Sequence, residues 1–75
     1  MSTENTITIK DEFIRLGQAM KLSDLVQSGA EAKMVIIDGE VTVNGEVCTE
    51  RGKKLRDGDE FSFDGRKVRV VSDAS

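Results

Sequence analysis

The 75-residue sequence contains no histidine, proline, tryptophan or tyrosine, and Cys48 is its one cysteine. It therefore lacks a histidine general base and a Cys–His pair for nucleophilic catalysis. An all-protein zinc site is implausible, because such sites need about four Cys, His or carboxylate ligands. A single cysteine cannot form an intramolecular disulfide, which favours a reducing compartment and predicts a cytoplasmic protein. We expect neither an enzyme nor a bound metal or cofactor.

Long apolar runs are also missing. No stretch approaches the roughly 20 apolar residues of a membrane span, and the first residues lack the basic and apolar regions of a secretory signal, so we expect no membrane association. The length predicts one small domain. We place it at residues 7–71, between a flexible N-terminus at 1–6 and a flexible tail at 72–75.

Charge is unevenly distributed along the chain, although its net value is only −3. Residues 1–50 carry four basic and nine acidic side chains, whereas residues 51–75 carry seven basic and five acidic ones. The overall charge does not predict a polyanionic ligand. The distribution nevertheless allows a local basic surface on an acidic protein.

In the first half of the domain, a strand-like hydrophobic period is followed by a helical one. Residues 7–9 alternate with period two, which predicts a short strand. Phe13, Leu16 and Met20 then share one helical face, which predicts a helix from residue 11 or 12 to Leu22, with acidic residues at its positive end.

A second helix is predicted from a capping box. Ser28 and Glu31 have the S-x-x-E spacing in which the serine oxygen accepts from the backbone and the glutamate reaches back to the cap. The helix continues to Ile37 and ends at Asp38-Gly39, because glycine readily adopts the left-handed conformation. Few of its positions are polar, so we expect it to be packed on most of its surface.

Two hairpins are predicted in the second half. Val41-Thr42-Val43 precedes the turn Asn44-Gly45, and Val47 is expected to resume the apolar side after it. Phe61-Ser62-Phe63 and Val68-Arg69-Val70 flank the turn Asp64-Gly65 in the same way. The element order predicts an α+β fold in which two short helices pack on one side of a small, mostly antiparallel sheet.

The segment at residues 28–45 resembles the signature of the RNA-binding domain named after small-subunit ribosomal protein four. That signature is a serine, an alanine four positions on, an apolar pair, and then glycine, valine, valine, asparagine and glycine at fixed offsets. All of these positions are filled, and Arg15-Leu16 upstream and residues 58–61 downstream also match. The resemblance covers residues 13–71 and implies the S-four-like fold with its alpha-L RNA-binding motif.

Two departures from the widespread form refine the resemblance. Gly29 follows the serine where a basic residue is usual, and Gly17 follows Arg-Leu where an acidic residue is usual. This version is similar to the stand-alone bacterial YbcJ or YaaA-like subfamily, which also has basic residues at the positions of Lys21, Lys33 and residues 51–54. The resemblance implies binding to structured RNA, ribosomal or transfer RNA, with a link to ribosome assembly.

The candidate RNA-binding residues combine this resemblance with charge, because RNA affinity comes largely from Lys and Arg at phosphates. We expect Lys21, Lys33 and the basic loop at residues 51–54 to form one face, and we expect the protein to bind RNA as a monomer. Several candidates also have structural explanations: Ser28 as a helix cap, Asn44 as a turn residue and Lys21 as part of a solvated helix face with Arg15 and Gln18. The full set is Lys21, Ser28, Gly29, Lys33, Asn44, Arg51, Lys53 and Lys54.

Base stacking is not expected, because the three phenylalanines occupy apolar-patterned positions and no other aromatic is present. The sequence therefore favours recognition of RNA shape and backbone. The alternative is a protein-interaction module with the same fold. Salt dependence separates the two, since phosphate contacts lose affinity steeply with salt whereas an apolar protein interface does not.

Overall fold

The computed structural model describes residues 4–73. A five-stranded sheet, a separate two-stranded ladder and two helices are present in this part of the chain. In chain order the elements are β1 (Glu4–Ile9), β2 (Ile14–Arg15), α1 (Leu16–Leu22), α2 (Gly29–Ile37), β3 (Val41–Val43), β4 (Glu46–Val47), β5 (Lys54–Leu55), β6 (Glu60–Phe63) and β7 (Arg66–Ser72).

The main sheet has the strand order β1-β7-β6-β3-β4. Strand β1 runs parallel to β7, and the remaining neighbours are antiparallel. Strands β2 and β5 form the two-stranded ladder. The predicted α+β class, with two helices and a mostly antiparallel sheet, is confirmed.

One hydrophobic core joins the sheet to both helices. The strands contribute alternate side chains, because successive residues of a strand point to opposite faces. From the loop between the helices, Leu25 and Val26 are also buried. The remaining core residues are Ile7, Ile9, Leu16, Ala19, Met20, Ala32, Ile36, Val41, Val43, Leu55, Phe61, Val68 and Val70.

The hairpin at Asn44-Gly45 forms as predicted, with positive φ at both residues, 52° and 87°, as a tight two-residue hairpin turn requires. The prediction for Val47 is wrong. Val47 pairs with Thr42, and cross-strand partners share a face. Because Thr42 hydrogen bonds to Ser62 on the face away from the core, Val47 points there too and is 64% exposed.

The predicted start of α1 is also wrong. The helix begins at Leu16 rather than at residue 11 or 12, because Ile14 and Arg15 pair with Leu55 and Lys54 in the β2–β5 ladder. The acidic residues at 11 and 12 therefore do not cap this helix, and its first turn contains no acidic residue. Pairing with a strand about 40 residues further along the chain overrides the local helical period.

Helix α2 has the predicted bounds, and the Ser28 Oγ accepts the Glu31 N–H at 3.1 Å. The Glu31 side chain reaches one residue further back than predicted, since its Oε1 accepts the N–H of Gln27 at 2.9 Å. The expected burial is wrong. Only Ala32 and Ile36 of this helix are fully buried, while Met34 is 66% exposed.

Both ends of the domain contain more strand than predicted. Strand β1 begins at Glu4, three residues earlier than expected, and β7 extends to Ser72. The Asp73 N–H donates to the Ile9 carbonyl at 2.7 Å. Of the predicted flexible ends at 1–6 and 72–75, residues 1–3 and 74–75 lie outside the described residues. No helix within residues 4–73 is long and apolar enough to cross a membrane.

Candidate functional site

A basic groove lies where α1, the start of α2 and the loop before β5 meet. Its volume is about 380 Å³. The side chains of Arg15, Lys21 and Arg51 supply positive charge, and glycines supply close backbone approach. The complete lining is Arg15, Gly17, Gln18, Lys21, Gly29, Arg51 and Gly52.

Three hydrogen bonds fix the loop at residues 51–53 against the start of α1. The first N–H groups of a helix have no partner within it, and Arg15, at the N-cap, provides no side-chain cap. The N–H groups of Leu16 and Gly17 donate instead to the carbonyls of Lys53 and Arg51, at 2.8 and 3.1 Å. The Arg15 Nη1 donates to a third loop carbonyl at 2.9 Å. The loop therefore caps the helix.

Gly17 allows Arg51 to pack directly on the helix. A Cβ atom at position 17 would lie 2.9 Å from the Arg51 Cγ, well inside the roughly 3.5–4.0 Å at which carbon atoms make favourable contact. An acidic residue, which the widespread form of the domain has here, would displace the Arg51 side chain. The departure at Gly17 is therefore coupled to the position of a groove cation.

The groove cations are available to an anionic ligand. Arg15, Lys21 and Arg51 are exposed, and no ion pair joins them to a carboxylate within residues 4–73. Binding a phosphate would therefore not require an existing ion pair to be broken. The acidic net charge of the chain does not extend to the lining of this groove, which contains no carboxylate.

The start of α2 contributes Gly29 to the groove, and a Cβ there would meet nothing within 4 Å. Backbone N–H groups at a helix N-terminus favour anions, and the open space leaves them approachable. Lys33 is exposed one helical turn further on, outside the groove lining. The Ser28 hydroxyl is engaged as the helix cap, so its predicted contact with RNA stays a prediction.

Asn44 and Lys53 lie in a different groove, of about 330 Å³, with Glu46 and Glu50. The Asn44 Oδ1 accepts the Glu60 N–H at 3.0 Å, and its Nδ2 donates to Asp59 at 3.2 Å. Asn44 thus ties the β3–β4 turn to the start of β6. Neither of these two predicted residues lines the basic groove with Lys21, Gly29 and Arg51.

Lys54 belongs to a cluster that the sequence did not reveal. Its Nζ lies 4.9 Å from the centre of the Phe13 ring, and the guanidinium carbons of Arg15 and Arg56 lie 5.6 and 5.9 Å from the same centre. We call these four residues the Phe13 cluster. Arg15 lines the basic groove as well, so the groove and the cluster are continuous. The sequence gave no sign of this cluster, because Arg15 is far from Lys54 and Arg56 along the chain. Only the pairing of β2 with β5 brings these basic residues together.

The family follows from comparison of the chain with known proteins. Residues 7–71 match the family model described as the S4 domain. The chain belongs to the S4 domain family. The basic groove of this S4 domain includes Arg15 and Gly29, which lie in the segments matching the family signature. Among its described residues, no group of three potential metal ligands gathers.

Two bacterial relatives match most of the S4 domain. The "probable ribosome maturation protein RlbA" of Bacillus subtilis (strain 168) is 46% identical over 61 residues, which cover 81% of this chain and 86% of that protein. YbcJ of Escherichia coli (strain K12) is 38% identical over 63 residues, covering 84% of this chain and 90% of its own.

A solved structure shows the same architecture. The solution structure of YbcJ from E. coli superposes with a TM-score of 0.72 and 38% sequence identity, covering 95% of this chain and 91% of that chain. That structure is described as revealing an ALFAL motif involved in RNA binding. The resemblance to the stand-alone YbcJ-like subfamily is therefore confirmed.

Proposed function

We propose that this protein binds structured RNA without catalysis, through phosphate contacts in the basic groove. The observation that carries the proposal is the convergence of Arg15, Lys21 and Arg51 on one groove that contains no carboxylate. Phosphate contacts of Lys and Arg supply most of the affinity for nucleic acids. Gly29 and Gly52 add backbone that a phosphate can approach closely, because neither carries a side chain.

The relatives support RNA binding and, in one case, a link to ribosome maturation. RlbA is named for ribosome maturation, and the solved YbcJ structure is described through RNA binding. Both relatives match this chain over most of their length. We therefore propose a structured ribosomal RNA segment on an assembling particle as the preferred ligand, with transfer RNA as the second RNA to test. The proposed unit is a cytoplasmic monomer.

The test is a fluorescence-anisotropy titration of labelled structured ribosomal RNA fragments and a transfer RNA at 50 and 200 mM salt. Between these concentrations, an affinity that depends on 6–10 phosphate contacts falls by roughly 10³- to 10⁵-fold. The site variant is Lys21→Glu with Arg51→Glu. Each lost phosphate contact should lower the slope of log affinity against log salt by about 0.7–0.9, so we expect the slope to fall by about 1.4–1.8.

The matched control is Arg66→Glu with Lys67→Glu. Both residues are exposed in β7, neither lines the basic groove, and the change in net charge is the same. We expect the control to keep most of the affinity. Equal losses in both variants would show a general charge effect rather than a site.

Absence of binding by the wild-type protein to every RNA at low salt would refute the proposal. The protein-interaction alternative would then take its place. It has its own structural support in large exposed apolar side chains, including Leu22 at 56%, Met34 at 66% and Ile37 at 57%.

A further inference from the structure

The ring of Phe13 does not serve the hydrophobic core. It is absent from the buried cluster and from the partly buried apolar side chains that pack against that cluster, which include Ile14 and Phe63. The ring is only half-buried. The cationic groups of Arg15, Lys54 and Arg56 lie over the ring, at 4.9–5.9 Å from its centre.

Three like charges around one ring repel one another, and within residues 4–73 none of the three forms an ion pair with a carboxylate. Glu12 and Asp57 line an adjoining groove with Arg56, yet neither is ion-paired with it. Attraction of a cation to an exposed aromatic face supplies only about 0.5–1 kcal/mol. The arrangement therefore favours an anionic ligand that also uses an aromatic face.

An unpaired nucleotide has both properties. Its base stacks on aromatic rings or on guanidinium planes, and its phosphate attracts lysine and arginine. Paired bases in a duplex keep their faces covered and offer only the backbone. The cluster is continuous with the basic groove through Arg15, whose Nη1 is already held by the Gly52 carbonyl.

Building on the proposed function, we infer that the Phe13 cluster is a subsite for one unpaired nucleotide of the bound RNA. The base stacks against the Phe13 ring, and Lys54 and Arg56 hold its phosphate. The basic groove holds the adjoining backbone. The inference departs from the expectation of no base stacking, which assumed that all three phenylalanines belong to the core, whereas Phe13 lies outside the core cluster.

The test compares two labelled RNAs: a hairpin with an unpaired loop and a fully paired duplex with the same number of phosphates. The variant Phe13→Leu keeps an apolar side chain but removes the aromatic face. We expect a loss of roughly 5- to 150-fold in affinity for the hairpin, from the 1–3 kcal/mol of base–aromatic stacking, with little change for the duplex. Phe63→Leu, which removes a ring packed against the core, is the control and should not discriminate between the RNAs.

A second measurement reads the ring directly. The protein has three phenylalanines and no other aromatic residue, so ¹³C-phenylalanine labelling gives a simple aromatic NMR spectrum in which Phe13→Leu identifies the Phe13 signals. Stacking predicts that the Phe13 signals shift much more with the hairpin than with the duplex, while the Phe61 and Phe63 signals shift little with either RNA.

The outcomes separate the two proposals. If the wild-type protein binds neither RNA, the proposed function itself fails. If it binds both RNAs with steep salt dependence but Phe13→Leu affects neither, or affects both equally, RNA binding stands and the nucleotide subsite is wrong. Failure of Phe13→Leu to fold, seen by circular dichroism, would place the ring in the core and also overturn the inference.

Discussion

Gly17→Ala should weaken RNA binding while barely changing stability. The added methyl carbon would lie 2.9 Å from the Arg51 Cγ. Reaching the roughly 3.5–4.0 Å of ordinary carbon contact requires the Arg51 side chain to move by about 0.6–1.1 Å. That atom lies near the base of the side chain, so its displacement swings the guanidinium group away from its position in the groove.

The stability change combines two opposing effects. Alanine in place of glycine within a helix stabilises by about 1 kcal/mol, and Gly17 has no positive φ that would make alanine strained. Rearrangement of Arg51 opposes this gain. Gly29→Ala is the reference for stability, because its Cβ meets nothing within 4 Å. The difference between the two variants in urea unfolding measures the cost of the contact with Arg51.

The binding assay is the anisotropy titration at two salt concentrations. Loss of the Arg51 phosphate contact should lower the salt slope by about 0.9, which reduces the affinity change between 50 and 200 mM salt by a factor of about 3.5. A folded Gly17→Ala protein with the wild-type slope would refute the reasoning, since it would mean that Arg51 either stays in place or does not contact phosphate.

Two further predictions concern stability. Asn44→Ala should lower the free energy of unfolding, measured by urea unfolding, by about 2–3 kcal/mol. The change removes the side-chain hydrogen bonds to Asp59 and Glu60 and places alanine at φ 52°. The RNA affinity of the folded variant then decides whether Asn44 also belongs to the binding site. Ile36→Ala should destabilise by about 2–5 kcal/mol and Ile37→Ala by less than about 0.5 kcal/mol, since the first side chain is fully buried and the second is 57% exposed. Equal thermal destabilisation of the two isoleucine variants would contradict the observed packing of α2.

The parts of the fold that were predictable depend on residues close together in sequence. The cap at Ser28 and the turn at Asn44-Gly45 each involve a few consecutive residues whose chemistry permits little else. The alternating strands of the second hairpin follow for the same reason. These short-range signals were enough to predict the fold class.

The errors arise where distant residues decide the local structure. Pairing of Ile14 with Leu55 replaces the first turn of the predicted helix by a strand. The hydrophobic period of a short segment cannot reveal a pairing partner 41 residues away. The exposure of Ile37 has a similar cause, because sequence shows that a helix is apolar but not how much of it the rest of the domain covers.

The candidate site was only partly predictable. Lys21, Gly29 and Arg51 were identified from charge and resemblance, and the structure brings them into one groove. Lys53 was included because it follows the other basic residues in sequence, yet it lines a separate groove. Phe13 was missed because an apolar residue at a helical spacing resembles a core residue until the tertiary packing is known.

The capping of α1 by the loop at residues 51–53 links the assembly of the groove to the folding pathway. A seven-residue helix has almost no stability in isolation, and the first N–H groups of α1 find their acceptors only when a segment more than 30 residues downstream has docked. Partly folded chains therefore do not display the groove. Amide hydrogen exchange at Leu16 and Gly17 would report when the loop opens, and a nascent chain on the ribosome would acquire this surface only after residue 53 has emerged.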